Sequence, residues 1–301
     1  MFGVTILGNN SALPAHDRHP TAQVISMSDQ LFLVDCGEGT QIQMNLYKIR
    51  RSRINHIFIS HLHGDHYFGL PGLITSYGLL DRVHDLHLYA PSPLKTILDF
   101  QLSISATQLP YALHFHALED DTILLNEEKF SVESFRVFHR IDCWGFLFRE
   151  KRKPRKINGE QTTKYKVPLA YFESLKQGED YVQENGERIA NEVLTVPNKP
   201  SKSYAFCADT LYTESLAEKV RDVNMLYHEA TYLKDKEAKA ISRFHSTSAQ
   251  AAALAKLAHV KQLLIGHFSS KYDTLDEFLT EAQEIFPNTQ LALEGQTYLV
   301  S

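Results

Sequence analysis

The chain has 301 residues, 43% hydrophobic and 22% charged, which suits one large domain or two small ones with a sizeable core. Its formal net charge of −5 argues against a uniformly basic nucleic-acid binder, so a polyanionic partner would have to be met by a local patch. No apolar run approaches the ~20 residues of a membrane helix, the stretch Met1–Gly8 reads as a strand and not a secretion signal, and the widely spaced Cys36, Cys143 and Cys207 argue against a disulfide framework, so a reducing cytoplasm is expected.

Along the chain, strands alternate with helices. Phe2–Leu7, Ala22–Ser26 and Leu31–Asp35 are rich in β-branched and aliphatic residues and read as strands. Gly37-Glu-Gly39 breaks the pattern, and Thr40–Tyr47 opens a helix. Asn55–Ser60 is a buried strand, and Phe68–Leu80 a core helix despite Pro71. Strands follow at Asp85–Tyr89, Tyr111–Ala117, Phe130–Phe138, Trp144–Phe148, Ser203–Ala208, Met225–Tyr227, Gln262–Ile265 and Gln290–Leu293. Helices are expected at Leu94–Ser103, Ser246–Ala258 and Thr274–Ile285, the second with N-cap hydroxyls in Ser246-Thr-Ser248.

One segment differs. From Arg149 to Ser201 the composition turns polar and charged, opening on the basic run Lys151-Arg-Lys-Pro-Arg-Lys156 and closing on Pro197-Asn-Lys-Pro200. It reads as an arm inserted into a single domain spanning 1–301. A plain solvated loop of that length is uncommon in a compact domain.

The strongest chemical signal is Ser60-His-Leu-His-Gly-Asp-His66, among fifteen histidines in all. In extended chain, side chains two apart share a side, so His61 and His63 can hold one cation. Gly64 is expected to let the chain turn sharply, bringing Asp65 and His66 to a second. A lone loop histidine is usually just polar. Four donors in six residues directly after an apolar strand rarely arise for packing reasons. Further donors stand at the ends of expected strands: His139, Asp209 and His267. Nitrogen and carboxylate donors together suit Zn²⁺, with Mn²⁺ or Fe²⁺ also compatible. His56, His84, His87, His114, His116 and His259 lack ligand spacing and read as surface or core residues. Cys207 reads as a core thiol.

This ordered set resembles the metallo-β-lactamase superfamily. The resemblance implies an α/β fold: a four-layer αββα sandwich of two face-to-face sheets with helices outside, plus an arm. It implies two Zn²⁺ per subunit, one on His61, His63 and His139, the other on Asp65, His66 and His267, with Asp209 bridging. A cation pair of this kind makes a shared water acidic enough to attack a phosphoryl group at neutral pH. Asp65 would accept its proton.

Within the superfamily, Tyr227-His-Glu-Ala-Thr231, Phe244-His-Ser-Thr-Ser248 and His267-Phe-Ser-Ser-Lys-Tyr272 resemble signatures of the ribonuclease Z family. That resemblance implies hydrolysis of a phosphodiester at the 3′ end of precursor tRNA, with His245 aiding the leaving group and Glu229 orienting it. A helix cap or a satisfied loop histidine is the plainer account of each motif alone. The arm position matches the family's tRNA-gripping arm, so Lys151, Arg152, Lys153, Arg155 and Lys156 would meet phosphates, helped by Arg50-Arg-Ser-Arg53. A homodimer is also implied. Two departures stand out. The family's Gly-Pro-rich arm tip is replaced by Lys166-Val-Pro-Leu-Ala-Tyr171. Its Pro-x-Lys-x-Arg-Asn loop reads Pro14-Ala-His-Asp-Arg18-His19, which puts in question how a finished CCA end is treated.

Two other readings compete. A phosphodiesterase for small or cyclic phosphodiesters would need the same cations but no arm. A binding module with structural zinc would favour a closed, thiolate-rich site, unlike this set.

Overall fold

The computed structural model describes residues 1–301. The chain divides into two compact units, Met1–Arg149 with Lys202–Ser301, and Glu150–Ser201.

The larger unit is built on two seven-stranded sheets. In the first, strands run in the order Thr297–Leu299, Gly3–Gly8, Ala22–Met27, Gln30–Val34, Ile54–Phe58, Leu86–Pro91 and Leu113–Leu118. In the second, the order is Thr289–Leu291, Gln262–Gly266, Met225–Glu229, Ser203–Cys207, Trp144–Glu150, Phe130–Arg136 and Thr122–Asn126. Each sheet is antiparallel on one side and parallel on the other, with Gln30–Val34 through Leu113–Leu118 parallel in the first and Ser203–Cys207 through Thr289–Leu291 parallel in the second. Parallel strands need crossover connections, and these supply the outer helices.

Alternation along each strand sorts its side chains between two cores. In Ile54–Phe58, Ile57 packs outward with Leu70, Leu73, Ile74, Leu94 and Leu98 of helices Leu70–Leu79 and Pro93–Ile104. Its neighbour Phe58 packs inward with Phe32, Phe146 and Phe148. Such aromatic pairs add roughly 0.5–1.5 kcal/mol each beyond the area they bury. On the far side, helices Ser248–Leu257 and Asp276–Ile285 add Ala251, Ala252, Leu254, Phe278 and Ala282. This is the expected four-layer sandwich.

Most expected elements lie within one to three residues of those observed. The expected helix Phe68–Leu80 begins only at Leu70, because a separate turn, Gly64–Tyr67, precedes it. Thr247 is the N-cap of Ser248–Leu257, in a reciprocal capping box with Gln250. Strands Thr122–Asn126 and Thr297–Leu299 were not foreseen; both are sheet edges, short and half exposed, where periodicity is weakest.

The unit Glu150–Ser201 is not a loop. It has helices Gly159–Lys164, Phe172–Gln177 and Asn191–Leu194, and paired strands Lys156–Ile157 with Thr195–Val196 and Tyr181–Val182 with Arg188–Ile189. Val167, Leu175, Tyr181, Ile189 and Leu194 form its own small core. The basic run is divided between two tasks. Arg152 and Lys153 are exposed, with Lys151 half-buried and Lys156 starting a strand. Arg155 is tied inward, its Nε donating to Thr195 Oγ1 at 2.6 Å. Arg152, Lys153, Arg155 and Lys199 line one cleft of about 300 Å³.

Candidate metal centre

Strand Ile54–Phe58 hands the chain to His61–His66 at the C-terminal end of the parallel strands. The backbone at His63 is extended (φ −77°, ψ 145°), and His61 Nε2 stands 3.0 Å from His63 Nδ1. The chain turns sharply at Gly64, as expected, passing from extended His63 into helical backbone. Gly64 begins the one-turn helix Gly64–Tyr67, and its missing side chain makes room for Phe68: a Cβ would lie 2.3 Å from that ring. Asp65 and His66 ride on this turn.

The remaining candidates arrive from strand ends. His139 follows Phe130–Arg136; its Nδ1–H donates to the Phe244 carbonyl (2.8 Å) and its Nε2 lies 3.1 Å from His63 Nδ1. His267 follows Gln262–Gly266 in left-handed backbone (φ 60°), with Nε2 3.3 Å from Asp65 Oδ2. Asp209, after Ser203–Cys207, faces both groups. Its Oδ2 is 3.6 Å from His61 Nε2 and 4.0 Å from His139 Nε2, while its Oδ1 is 3.4 Å from His66 Nε2 and 3.2 Å from His267 Nε2. The seven candidates thus sort into two sets, His61, His63, His139 and Asp209 in one, Asp65, His66 and His267 in the other, with donor atoms of each set within 4.8 Å of one another.

The donors fit divalent cations. Buried His66 Nε2 and Asp209 Oδ1 have no hydrogen-bond partner, and each such orphan costs about 1–3 kcal/mol. Burial lowers the pKa of His61, aided by the neighbouring His66, and brings His63 down to about 4, so both are neutral and free to donate lone pairs. Asp209 resists the upward pull of burial because His267, His66 and His61 hold it ionised. His66 goes the other way: burial opposes its charge, but Asp209, Asp65 and Asp35 push it up well above its ordinary value. That is the signature of a pocket with too few positive charges for its carboxylates. No thiolate enters, and Cys207 is buried in the core. Asp65 accepts the Ala12 amide at 2.7 Å, and its carboxyl is held well below the usual carboxylate range despite burial, chiefly by His66.

Outside these sets stands Asp35, which sequence reasoning missed. It ends strand Gln30–Val34 in left-handed backbone (φ 57°), which turns its carboxylate to the Ser60 amide (2.7 Å) and hydroxyl (2.8 Å) and to His66 Nδ1 (2.7 Å). It fixes the tautomer that aims Nε2 inward. An acid directly after a strand, like Asp209, was the signal that could have found it. Asp35→Ala is expected to weaken metal affinity by about 10–100-fold, read by zinc titration against a chelating dye; unchanged affinity would contradict the tautomer-setting role.

Beside the two sets lies Glu229, wholly buried at the end of Met225–Glu229. Its Oε1 accepts from His245 Nδ1 (2.8 Å) and the Ser246 amide (3.1 Å), and its Oε2 from the Thr231 hydroxyl (2.6 Å). With that proton committed, Thr231 Oγ1 accepts from His267 Nδ1 at 2.9 Å, tying the pair to the candidate ligand. Burial alone would depress His245, but the Glu229 carboxylate outweighs it and raises the imidazole to about 9. His245, Asp65, Asp209 and Arg140 line one open cleft of about 420 Å³, with Leu13 and Phe68 on its wall. Arg140 was not foreseen; it follows the His139 candidate directly in sequence.

The loop Pro14–His19 is pinned to the chain around His267. Arg18 donates to Asn10 Oδ1 and to the carbonyls of Tyr272 and Asp273; His16 meets Ser270 O and Asp273, and His19 meets Glu294. The two histidines that depart from the family pattern are therefore anchors.

Comparison with known proteins bears on these sets. A family model described as "Anti-Pycsar protein Apyc1" matches residues 2–151. A curated ribonuclease Z from Bacteroides thetaiotaomicron is 42% identical over 302 aligned positions, covering 100% of this chain and 96% of the relative. The chain belongs to the ribonuclease Z family. Among solved structures, the short form of human tRNase Z is similar with a TM-score of 0.72 at 25% identity, covering 99% of each chain. The metallo-β-lactamase fold protein YhfI from Bacillus subtilis, 17% identical, matches with a TM-score of 0.70 over 99% of this chain and 98% of its own, and supports the fold alone. The coverage at both ends shows that the ribonuclease Z likeness spans the sandwich and the inserted unit alike.

Proposed function

We propose that the chain is a metal-dependent endoribonuclease that hydrolyses one phosphodiester to release the 3′ trailer of precursor tRNA, with two Zn²⁺ as its cations. The observation that carries this reading is Asp209, whose two oxygens face two separate donor sets beside the Glu229–His245 pair. Two cations held there would supply an acidic water and positive charge against the phosphoryl oxygens. The chain's own groups do the rest. The His245 imidazolium gives a proton to the departing ribose oxygen. Glu229, buried and ionised, keeps His245 charged and oriented. The Arg140 guanidinium offers bidentate donors to the phosphate backbone in the cleft. Leu13 and Phe68, both exposed, offer apolar contact to a base.

For tRNA, Lys151, Arg152, Lys153 and Lys156 meet phosphates, and Arg155, tied to Thr195, shapes the cleft that Arg152 and Lys153 line. Incubation with a 3′-extended precursor tRNA should give a single mapped cut near the end of the acceptor stem. Replacing those four residues by Ala should weaken tRNA binding and flatten its log–log salt slope by roughly 0.7–0.9 for each phosphate no longer neutralised, while bis-p-nitrophenyl phosphate hydrolysis stays unchanged. If tRNA is never cut but small diesters are, the small-phosphodiesterase reading takes its place.

A homodimer fits the exposed Ile42 and Leu46 of helix Thr40–Leu46 and Leu79, Leu80 and Val83 at the end of Leu70–Leu79, which are 54–84% exposed. Light scattering should give twice the chain mass; a monomer at micromolar concentration would refute this. Three buried, unpaired cysteines suit a reducing cytoplasm, and no helix is long and apolar enough to cross a membrane.

A further inference from the structure

Four histidines outside the catalytic centre meet on one face of the first sheet. Strands Ile54–Phe58, Leu86–Pro91 and Leu113–Leu118 are parallel neighbours, and their register sets His56 opposite His87 and His87 opposite His114. The rings stack across the strands: His56 on His87 at 5.0 Å, His87 on His114 at 4.8 Å, and His116 on Tyr89 at 4.4 Å. Alternation puts all four on the side that carries Phe58, Tyr89 and Leu118. His61 and its partners lie past the C-terminal end of the first of these strands, five residues and about 16 Å of extended chain from His56.

Two observations point to a ligand here. His87 Nδ1 lies 3.0 Å from His116 Nε2, within hydrogen-bond reach, so one proton between the rings holds the two nitrogens together when no cation is bound. That separation equals the spacing of converging imidazole nitrogens in the catalytic sets, 3.0 Å for His61 with His63 and 3.1 Å for His63 with His139. Tetrahedral coordination at about 2.0–2.1 Å asks for a separation near 3.3 Å, so a few tenths of an ångström of opening suffices. Next to the pair, His56 Nδ1 is fully enclosed and has no partner. Burial, then the proximity of His87 and His116, lowers His56 to about 4 and keeps it a neutral lone-pair donor. Burial likewise lowers His87 and His116. The carboxylate in contact with the group, Asp85, is taken by His114 Nε2 at 2.9 Å, where it holds the outermost ring of the stack.

We propose that His87 and His116 form a third divalent-cation site, separate from the catalytic pair, for a borderline-soft ion of the Zn²⁺, Cu²⁺ or Ni²⁺ class, with water completing the shell and His56 stacked on His87 beside it. The ion would clamp Leu113–Leu118, the edge strand of the sheet, to Leu86–Pro91. It takes no part in phosphodiester hydrolysis and does not depend on the tRNA reading.

The test is calorimetric titration of the chelator-stripped full chain with Zn²⁺ alone. Three equivalents per chain are expected in the wild type. His87→Gln/His116→Gln should lose one equivalent and keep bis-p-nitrophenyl phosphate hydrolysis, with circular dichroism confirming the fold. His116→Gln alone, on the edge strand, serves if the double variant does not fold. His114→Gln, next to the pair but outside it, should keep all three. Two equivalents in the wild type, or a third that persists without His87 and His116, would overturn the proposal.

Discussion

Asp209→Ala is expected to lose both cations and with them nearly all activity. The carboxylate faces five imidazoles, His61, His66, His139, His245 and His267, at 3.2–4.0 Å, and it is 2% exposed. Without it, the first donor set is left with three imidazoles and no carboxylate, and the second with Asp65 alone to offset a dication. Losing several kcal/mol of charge stabilisation at the phosphoryl group corresponds to roughly three to five powers of ten in rate. Asp209→Asn keeps the volume but halves the site's capacity to bridge, because an amide presents one oxygen where the carboxylate presents two. Metal content by atomic emission and cleavage of a 3′-extended precursor tRNA read the two effects separately. A variant that keeps two equivalents and wild-type cleavage would remove Asp209 from the role assigned to it.

The second large effect belongs to His245. His245→Ala should lower kcat on precursor tRNA by about 10²–10⁴-fold while metal content and KM change little. A ribose oxygen leaves poorly without a proton, whereas p-nitrophenolate needs none. Hydrolysis of bis-p-nitrophenyl phosphate should therefore fall far less, and equal losses on both substrates would point to a structural role. The pH profile carries the sign. His245 must be protonated to act as an acid, so activity holds below its pKa and is lost as pH rises through it. Its Glu229 partner pushes that pKa up to about 9; cations in the adjoining sets act in the opposite direction, so the alkaline limb of the loaded enzyme lies lower. Glu229→Gln removes the upward push and should move the limb to lower pH still. A limb that does not move with Glu229→Gln would break the link between the two residues.

Thr231 is the piece that makes these effects interdependent. Its one hydroxyl donates to Glu229 and accepts from His267. A change at Glu229 is thereby felt at a candidate ligand, and the loss from a Glu229/His267 double change should be less than the sum of the single ones.

The donor residues and the alternation of strands and helices are legible in the amino-acid order; the layer order came with the family resemblance those residues carry. His61, His63, Asp65 and His66 are local, set by the pleat of one strand and one helical turn, and such spacing is visible without a fold. His139, Asp209 and His267 were legible as acids and imidazoles at strand ends; Asp209 and His267 follow parallel neighbours, whose ends a sheet collects on one edge, while His139 follows a strand on the antiparallel side. Whatever depends on register between distant strands was settled by packing. Packing turned Asp35 through left-handed backbone onto His66, tied Arg155 to Thr195, added clearance against Phe68 to the turn at Gly64, and folded 150–201 around a core of its own. It also stacked His56, His87 and His116 from three separate strands. Neighbours along the chain fix which side chains share a face. Which faces meet is fixed among segments far apart in sequence, and no local pattern encodes that.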